Sequence, residues 1–204
     1  MLLPLVITAV VGYLLGALPF GYWLAKAKGV NIMEVGSRNP GATNVKRVLG
    51  AKAGNTVFLL DALKGFIATA IPLLFQLGGP AGSSGYDLGG VIGVAAAVLG
   101  HSFSCFIGFR GGKGVATAAG GLFVLMPLPC VIAGAAWVAT FFISRYVSLA
   151  SIVAALVIAT LPWFLSFGLI INGVATLLGL LVIARHHANI SRLLAGTEHR
   201  WDRK

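Results

Sequence analysis

Apolar and polar positions alternate in long blocks rather than within turns. Apolar stretches cover residues 2–25, 53–77, 88–109, 115–144 and 146–184, with short polar segments between them. A helix needs about 20 apolar residues to cross the hydrocarbon core of a bilayer, so the first three stretches each predict one span and the last two are too long. In 115–144 the break falls at Met126-Pro-Leu-Pro-Cys130, because two prolines at a spacing of two do not both continue a helix. In 146–184 it falls around residues 162–168. The pattern predicts an all-α polytopic membrane protein, with residues 1–204 as one integral-membrane domain of seven transmembrane helices. The first stretch lacks a basic region before it and a small-residue cleavage site, so residues 1–25 are expected to be a retained helix rather than a removed signal peptide.

Composition agrees with that pattern. The 204 residues are 58% hydrophobic and only 10% charged, against about 25% charged in soluble domains. The net charge of +10 forms no stripe of the kind that holds nucleic acid. Instead, all of the 15 lysines and arginines except Lys64 fall in the segments that seven crossings place on one face. Basic loops stay in the cytoplasm, so the N-terminus is expected outside and the C-terminus inside. Lys64 lies within the second span, three residues after Asp61. That spacing puts both on one helix face, either as an ion pair that lowers the cost of burial or as part of a site. The 28 glycines suit close helix packing in lipid, and Gly12-x-x-x-Gly16 and Gly89-x-x-x-Gly93 are candidate contacts. Trp137, Trp163, Phe141 and Phe142 are expected to pack against lipid or neighbouring helices. Cys105 and Cys130 are expected near opposite membrane faces, which excludes a disulfide between them, and neither has a second ligand at metal spacing.

The candidate chemistry sits in the polar segments of the basic face. Gly108-Phe-Arg-Gly-Gly-Lys-Gly-Val-Ala-Thr117 concentrates glycines with two cations. Successive glycines let backbone N–H groups converge on an anion, and Lys113 would add charge beside Gly111, Gly112 and Gly114. The same stretch also suits a tight interhelical loop. A Walker loop is excluded, because Gly114 stands where Ser or Thr would reach magnesium. Upstream, Val35-Gly-Ser-Arg-Asn-Pro-Gly-Ala-Thr-Asn44 supplies Ser37, Thr43 and Asn44, with Arg47 just beyond. Asn39-Pro-Gly reads as a turn, and Thr43 or Asn44 as the cap of a short helix. His101, at the cytoplasmic end of the third span, is either a hydrogen-bonded interface residue or a base and anion ligand. Ser148 and Ser151, three apart, either cap the sixth helix or let Ser151 contact phosphate. In the tail, His186 and Asn189 suit an interfacial amphipathic helix or a unit that positions a hydroxyl and polarises an acyl group. A channel or transporter would concentrate polar groups at the midplane, where this chain offers only Asp61 and Lys64. The pattern reads instead as a cytoplasm-facing phosphate pocket beside helices that admit an alkyl chain.

Three stretches together resemble a known family. Val35 to Asn44 as written above, Gly100-His-Ser-Phe-Ser-Cys-Phe-Ile-Gly-Phe-Arg-Gly-Gly-Lys-Gly-Val-Ala-Thr117, and Arg185-His-His-Ala-Asn-Ile-Ser-Arg-Leu-Leu-Ala-Gly-Thr-Glu-His-Arg200 are similar, in this order, to the signature motifs of the bacterial acyl-phosphate:glycerol-3-phosphate acyltransferases of the PlsY family. Ser104 departs from a usual Pro, and Arg38 from a common Gly. The resemblance implies acyl transfer from a fatty acyl phosphate to the 1-hydroxyl of sn-glycerol 3-phosphate, giving lysophosphatidic acid and phosphate in the first acylation of phospholipid synthesis. It implies no cofactor and no nucleic-acid partner, with membrane lipid as the surroundings, and leaves the oligomeric state open, a monomer included. It places the enzyme in the bacterial inner membrane, facing the cytoplasm. By likeness, Lys113 and Arg47 would hold phosphoryl oxygens with help from Ser37 and Ser151. His186 and Asn189 would orient a reactant or stabilise charge at the acyl carbonyl, and His101 would line the site.

Overall fold

The computed structural model describes residues 2–201. Met1 of the expected first helix, and Arg203 and Lys204 of the basic set, lie outside the described residues. The helices are α1 (Leu2–Ala17), α2 (Phe20–Ala27), α3 (Ala42–Leu49), α4 (Ala51–Leu74), α5 (Ser84–Ser102), α6 (Val115–Leu125), α7 (Pro127–Ser144), α8 (Val147–Thr160), α9 (Leu169–Ala184) and α10 (His187–Leu194). There is no strand among the described residues, only an isolated antiparallel bridge between Ser104 and Arg110. The breaks expected near Met126 and Pro162 separate α6 from α7 and α8 from α9. Length is a separate matter. Among the described residues, four helical segments are long and apolar enough to cross a membrane: 2–27, α4, α7 and 147–164. A fifth qualifies if α9 and α10, bent by 54°, form one span. At about 1.5 Å per residue, the 11-residue α6 falls well short of a 30 Å core.

The described chain divides into two compact units, one ending at Leu125 and the other starting at Met126. In the first, α5 packs against α1 and α4, while α6 and α3 pack on α4. These contacts run backbone to backbone. A methyl group on Gly16 would overlap the Ala97 backbone, one on Gly93 the Ala68 carbonyl, and one on Gly65 the Thr117 carbonyl. Gly12 of the first candidate motif faces Gly93 of the second, whereas Gly89 lies against Pro72 and Gly78. A small cluster of Ala25, Ile32, Val45, Ala53 and Val57 seats the polar segment before α3. In the second unit α8 packs between α7 and α9. The link of two residues from α7 to α8 begins with Arg145 in the left-handed region, φ +67, and its N–H closes α7 on the Phe141 carbonyl at 2.8 Å. Much of the apolar surface faces outward, as with Leu59, Phe142 and Leu180, which lipid would cover.

The seam between α1 and α5 should tolerate no bulk. Gly16→Val is expected to destabilise the protein by about 1–3 kcal/mol, the usual cost of overpacking. Thermal unfolding in detergent checks this, with Gly134→Ala, a site where a methyl group meets nothing within 4 Å, as the neutral control.

Candidate active site

In the first unit, two polar loops are built on backbone-directed side chains. Asn44 was expected to cap α3 or to bind phosphate. The N-cap is Gly41, with no side-chain cap bond, and both Thr43 and Asn44 lie in the first turn. Asn44 is buried and serves the preceding loop. Its Oδ1 accepts the Ser37 N–H at 2.8 Å, and its Nδ2 donates to the carbonyls of Val35 and Asn39 at 3.1 and 3.0 Å. Gly36, at φ +60, leaves room for that amide, because a Cβ there would strike Asn44. The amide therefore fixes the peptide that carries Ser37. Ser37 and Thr43 themselves are exposed, and Arg47 is half-buried in the last turn of α3. Arg38 sits at φ +55, a conformation that costs a side chain about 1–2 kcal/mol, and this is the physical reason glycine suits the position.

Asn39 joins the first loop to the second. Its Oδ1 accepts the Gly41 N–H at 2.9 Å and its Nδ2 donates to the Gly111 carbonyl at 3.2 Å. The second loop leaves α5 at Ser102 and folds back under it. The N–H of Ser104 reaches the Arg110 carbonyl at 3.1 Å, and that of Gly112 reaches the His101 carbonyl at 3.0 Å. Ser104 Oγ donates to the Ala17 carbonyl. A proline at position 104 would make neither of the Ser104 bonds, so this departure adds anchors. Gly111 and Gly112 are buried, and a Cβ on either would collide with His101, on Gly111 with its carbonyl and on Gly112 with its ring. Gly114, at φ +81, accepts the Ala118 N–H at 2.7 Å and so opens α6, with half-buried Lys113 just before it. The N-terminus of α6 and Lys113 favour an anion here.

Beneath this loop lies the charge pair. Lys64 Nζ stands 2.8 Å from Asp61 Oδ1, both side chains 4% exposed, and also donates to the Leu18 carbonyl at 2.8 Å. His101 Nδ1 stands 3.5 Å from the same Asp61 oxygen. Asp61, Lys64, His101, Gly111 and Gly112 line a small pocket that is partly open to solvent.

The second unit holds the other expected residues. The N-cap of α8 is Tyr146, with no side-chain cap bond, so neither Ser148 nor Ser151 caps it. Ser151 Oγ donates to the Val147 carbonyl at 2.8 Å and accepts from Trp137 Nε1 at 3.1 Å. Trp137, expected only to pack, is thus a partner of Ser151, stacked on Phe141 with ring centroids 5.3 Å apart. His186 is buried, its Nδ1 2.7 Å from the Val182 carbonyl. A carbonyl only accepts, so the proton belongs on Nδ1. Glu198, which sequence reasoning missed, gathers the rest. Its Oε1 accepts from Asn189 Nδ2 at 2.7 Å and Ser148 Oγ at 2.9 Å, and its Oε2 from Arg192 Nε at 2.7 Å. Burial pushes its carboxyl pKa up, but the donations from Asn189, Arg192 and Ser148 outweigh this and hold it below the usual value. The available signal was scarcity, since the chain has 5 acidic residues and this one stands among arginines and histidines.

The family model described as glycerol-3-phosphate acyltransferase matches residues 6–196. A glycerol-3-phosphate acyltransferase of Fusobacterium nucleatum subsp. nucleatum is 42% identical over 193 residues, covering 94% of this chain and 95% of that one. One of Aquifex aeolicus is 44% identical over 190 residues, covering 93% and 95%. Two crystal structures of PlsY, an integral membrane glycerol 3-phosphate acyltransferase, are similar over 97% of this chain. The glycerol 3-phosphate form has a TM-score of 0.89 at 42% identity and is covered to 96%. The lysophosphatidic acid form has a TM-score of 0.86 at 41% identity and is covered to 95%.

Two outcomes test the local geometry. Arg38→Gly should raise thermal stability by up to about 1 kcal/mol by relieving the left-handed conformation. Glu198 has a lowered folded pKa, so its contribution is complete above its unfolded value of about 4.3 and is lost as pH falls through the folded value. Melting temperature measured against pH should therefore show an acid-side decline in the wild type that is smaller in Glu198→Gln, which starts lower at neutral pH.

Proposed function

The chain belongs to the glycerol-3-phosphate acyltransferase family, and from that premise we propose that it moves a fatty acyl group from acyl phosphate to the 1-hydroxyl of sn-glycerol 3-phosphate. The products are lysophosphatidic acid and inorganic phosphate. The observation that carries this reading is the glycine loop. His101 and Asn39 hold Gly111 and Gly112 through hydrogen bonds to their backbone, and Lys113 precedes the α6 N-terminus. This arrangement suits a phosphoryl group, and both proposed substrates carry one.

The donor is a mixed anhydride whose phosphate leaves readily, so an acyl-enzyme stage is unnecessary. The substrate hydroxyl attacks the acyl carbonyl carbon and the C–O bond to phosphate breaks. The hydroxyl proton passes to a substrate phosphate, which lies within reach of it. Lys113 and Arg47 neutralise phosphoryl oxygens, and Ser37 adds a hydrogen bond from a peptide that Asn44 holds. His101 lines the pocket. In the second unit, His186 and Asn189 are assigned to orienting a reactant and stabilising charge at the acyl carbonyl. A phosphate contact by Ser151 requires its Oγ–H to leave the Val147 carbonyl. Holding two reactants together can supply about 7–11 kcal/mol in favourable systems, which suits a site that works by position and charge.

We read residues 2–27 and α4 to α9 as seven passes through a bacterial inner membrane, of which α6, at 11 residues, spans only part of the core thickness, with the N-terminus outside and the chemistry on the cytoplasmic side. The distribution of basic residues supports this orientation. Detergent-purified protein given palmitoyl phosphate and glycerol 3-phosphate should release lysophosphatidic acid and phosphate in equal amounts. Lys113→Ala should lower kcat/KM by about 100-fold or more, as loss of a charge-stabilising donor does elsewhere. Product formed from acyl coenzyme A but not from acyl phosphate would overturn the donor. Accumulation of glycerol 3-phosphate in liposomes without ester formation would favour transport.

A further inference from the structure

The proposed reaction leaves Asp61 and Lys64 without a task. Two charges buried to this depth need an explanation, because an apolar pair of similar volume is often as stable or more so. What distinguishes this pair is its third and fourth partners. Lys64 Nζ, besides Asp61, holds the Leu18 carbonyl, which precedes Pro19 at the break between α1 and α2. The Asp61 carboxylate, besides Lys64, faces His101 Nδ1 at 3.5 Å. The far edge of the same imidazole, around Nε2, lies where a Cβ of Gly112 would stand. His101 therefore meets the glycine loop twice, through its ring and through the carbonyl that accepts the Gly112 N–H.

We propose that Asp61, with Lys64 as its charge partner, is the positioning residue for His101 and, through His101, for the Gly111–Gly112 segment that holds a phosphoryl group. This inference rests on the function proposed above. The carboxylate faces one ring nitrogen and Gly112 packs against the other, so the imidazole cannot turn without losing Asp61 or displacing the loop. A buried carboxylate that orients a histidine from behind is a recurrent device where a ring must hold one rotamer and one tautomer. Displacements of about 1 Å in positioning groups cost about 100-fold in rate elsewhere, so the effect should be large although Asp61 touches no substrate.

The test is a double-mutant cycle on kcat/KM for glycerol 3-phosphate with Asp61→Asn, His101→Ala and both together, each checked for monodispersity and melting temperature. Asp61→Asn should lower kcat/KM by about tenfold or more, and the double variant should be no worse than His101→Ala within about twofold. A merely structural role predicts effects that multiply, and that result, or a wild-type rate in Asp61→Asn, overturns the proposal. Should Asp61→Asn not fold, Asp61→Asn/Lys64→Met, which removes both charges together, replaces it in the cycle. Failure of this variant to fold as well would make the pair structural and also overturn the proposal. Calorimetric binding of glycerol 3-phosphate is measured on the same set. Binding without product in the wild type would defeat the proposed reaction while the cycle in Kd still decides the role of Asp61. Folded wild-type protein that neither binds nor reacts overturns both.

Discussion

Close approach of helix backbones is the constraint on which the first unit rests. Lipid offers helices no hydrophobic reason to associate, so association depends on how near two backbones can come. Gly16 against Ala97 fixes α5 along α1, Gly93 against Ala68 fixes it along α4, and Gly65 against Thr117 with Gly120 against Ala62 fixes α6 on α4. The end of α5 carries His101, Lys113 stands just before α6, and α4 carries Asp61 and Lys64. The same glycine contacts that let helices pack without bulk therefore hold the polar groups in register, and a side chain at a seam would move chemistry as well as lower stability.

That dependence explains what the sequence made legible. Apolar stretch lengths and two proline breaks located the helices, because hydropathy and backbone chemistry are local. Asp61 and Lys64 could be paired from their spacing alone. His101 as their third partner could not, since it is 40 residues away in sequence and meets them only through the packing of α5 on α4. The pattern also implied short helices on either side of Pro127. The apolar run 115–144 divides at Met126 as expected, into 11 and 18 residues, and α6 is the short one because the glycine loop precedes it.

The site residues divide in the same way. Glycine, lysine and histidine advertised an anion loop by type. The amides did not disclose their task, because Asn at a helix start usually caps it and here Asn44 turns back to bind the preceding backbone. Asn39 was read as a turn former and also joins the loop at Gly111. Glu198 and Trp137 were silent for a related reason. Of their partners, Asn189 and Ser151 were considered as direct ligands and Ser148 as a helix cap. The groups that hold a ligand residue in place are visible only once the fold brings them near.

The economy of charge follows from the reaction proposed. A mixed anhydride brings its own leaving group and the acceptor its own phosphate, so the protein needs neither an acid to expel an alkoxide nor a nucleophile of its own. It needs cations and aimed N–H groups, and few carboxylates near them, since these would compete with phosphate for the same donors. Among the described acidic residues, Asp61 and Glu198 have side-chain exposure of 5% or less. Neither faces outward as a rival anion. Asp61 is neutralised by Lys64, and Glu198 is saturated by Asn189, Ser148 and Arg192. Both spend their charge on side chains beside the expected ligands, which is where negative charge can order a site for phosphate without repelling what it binds.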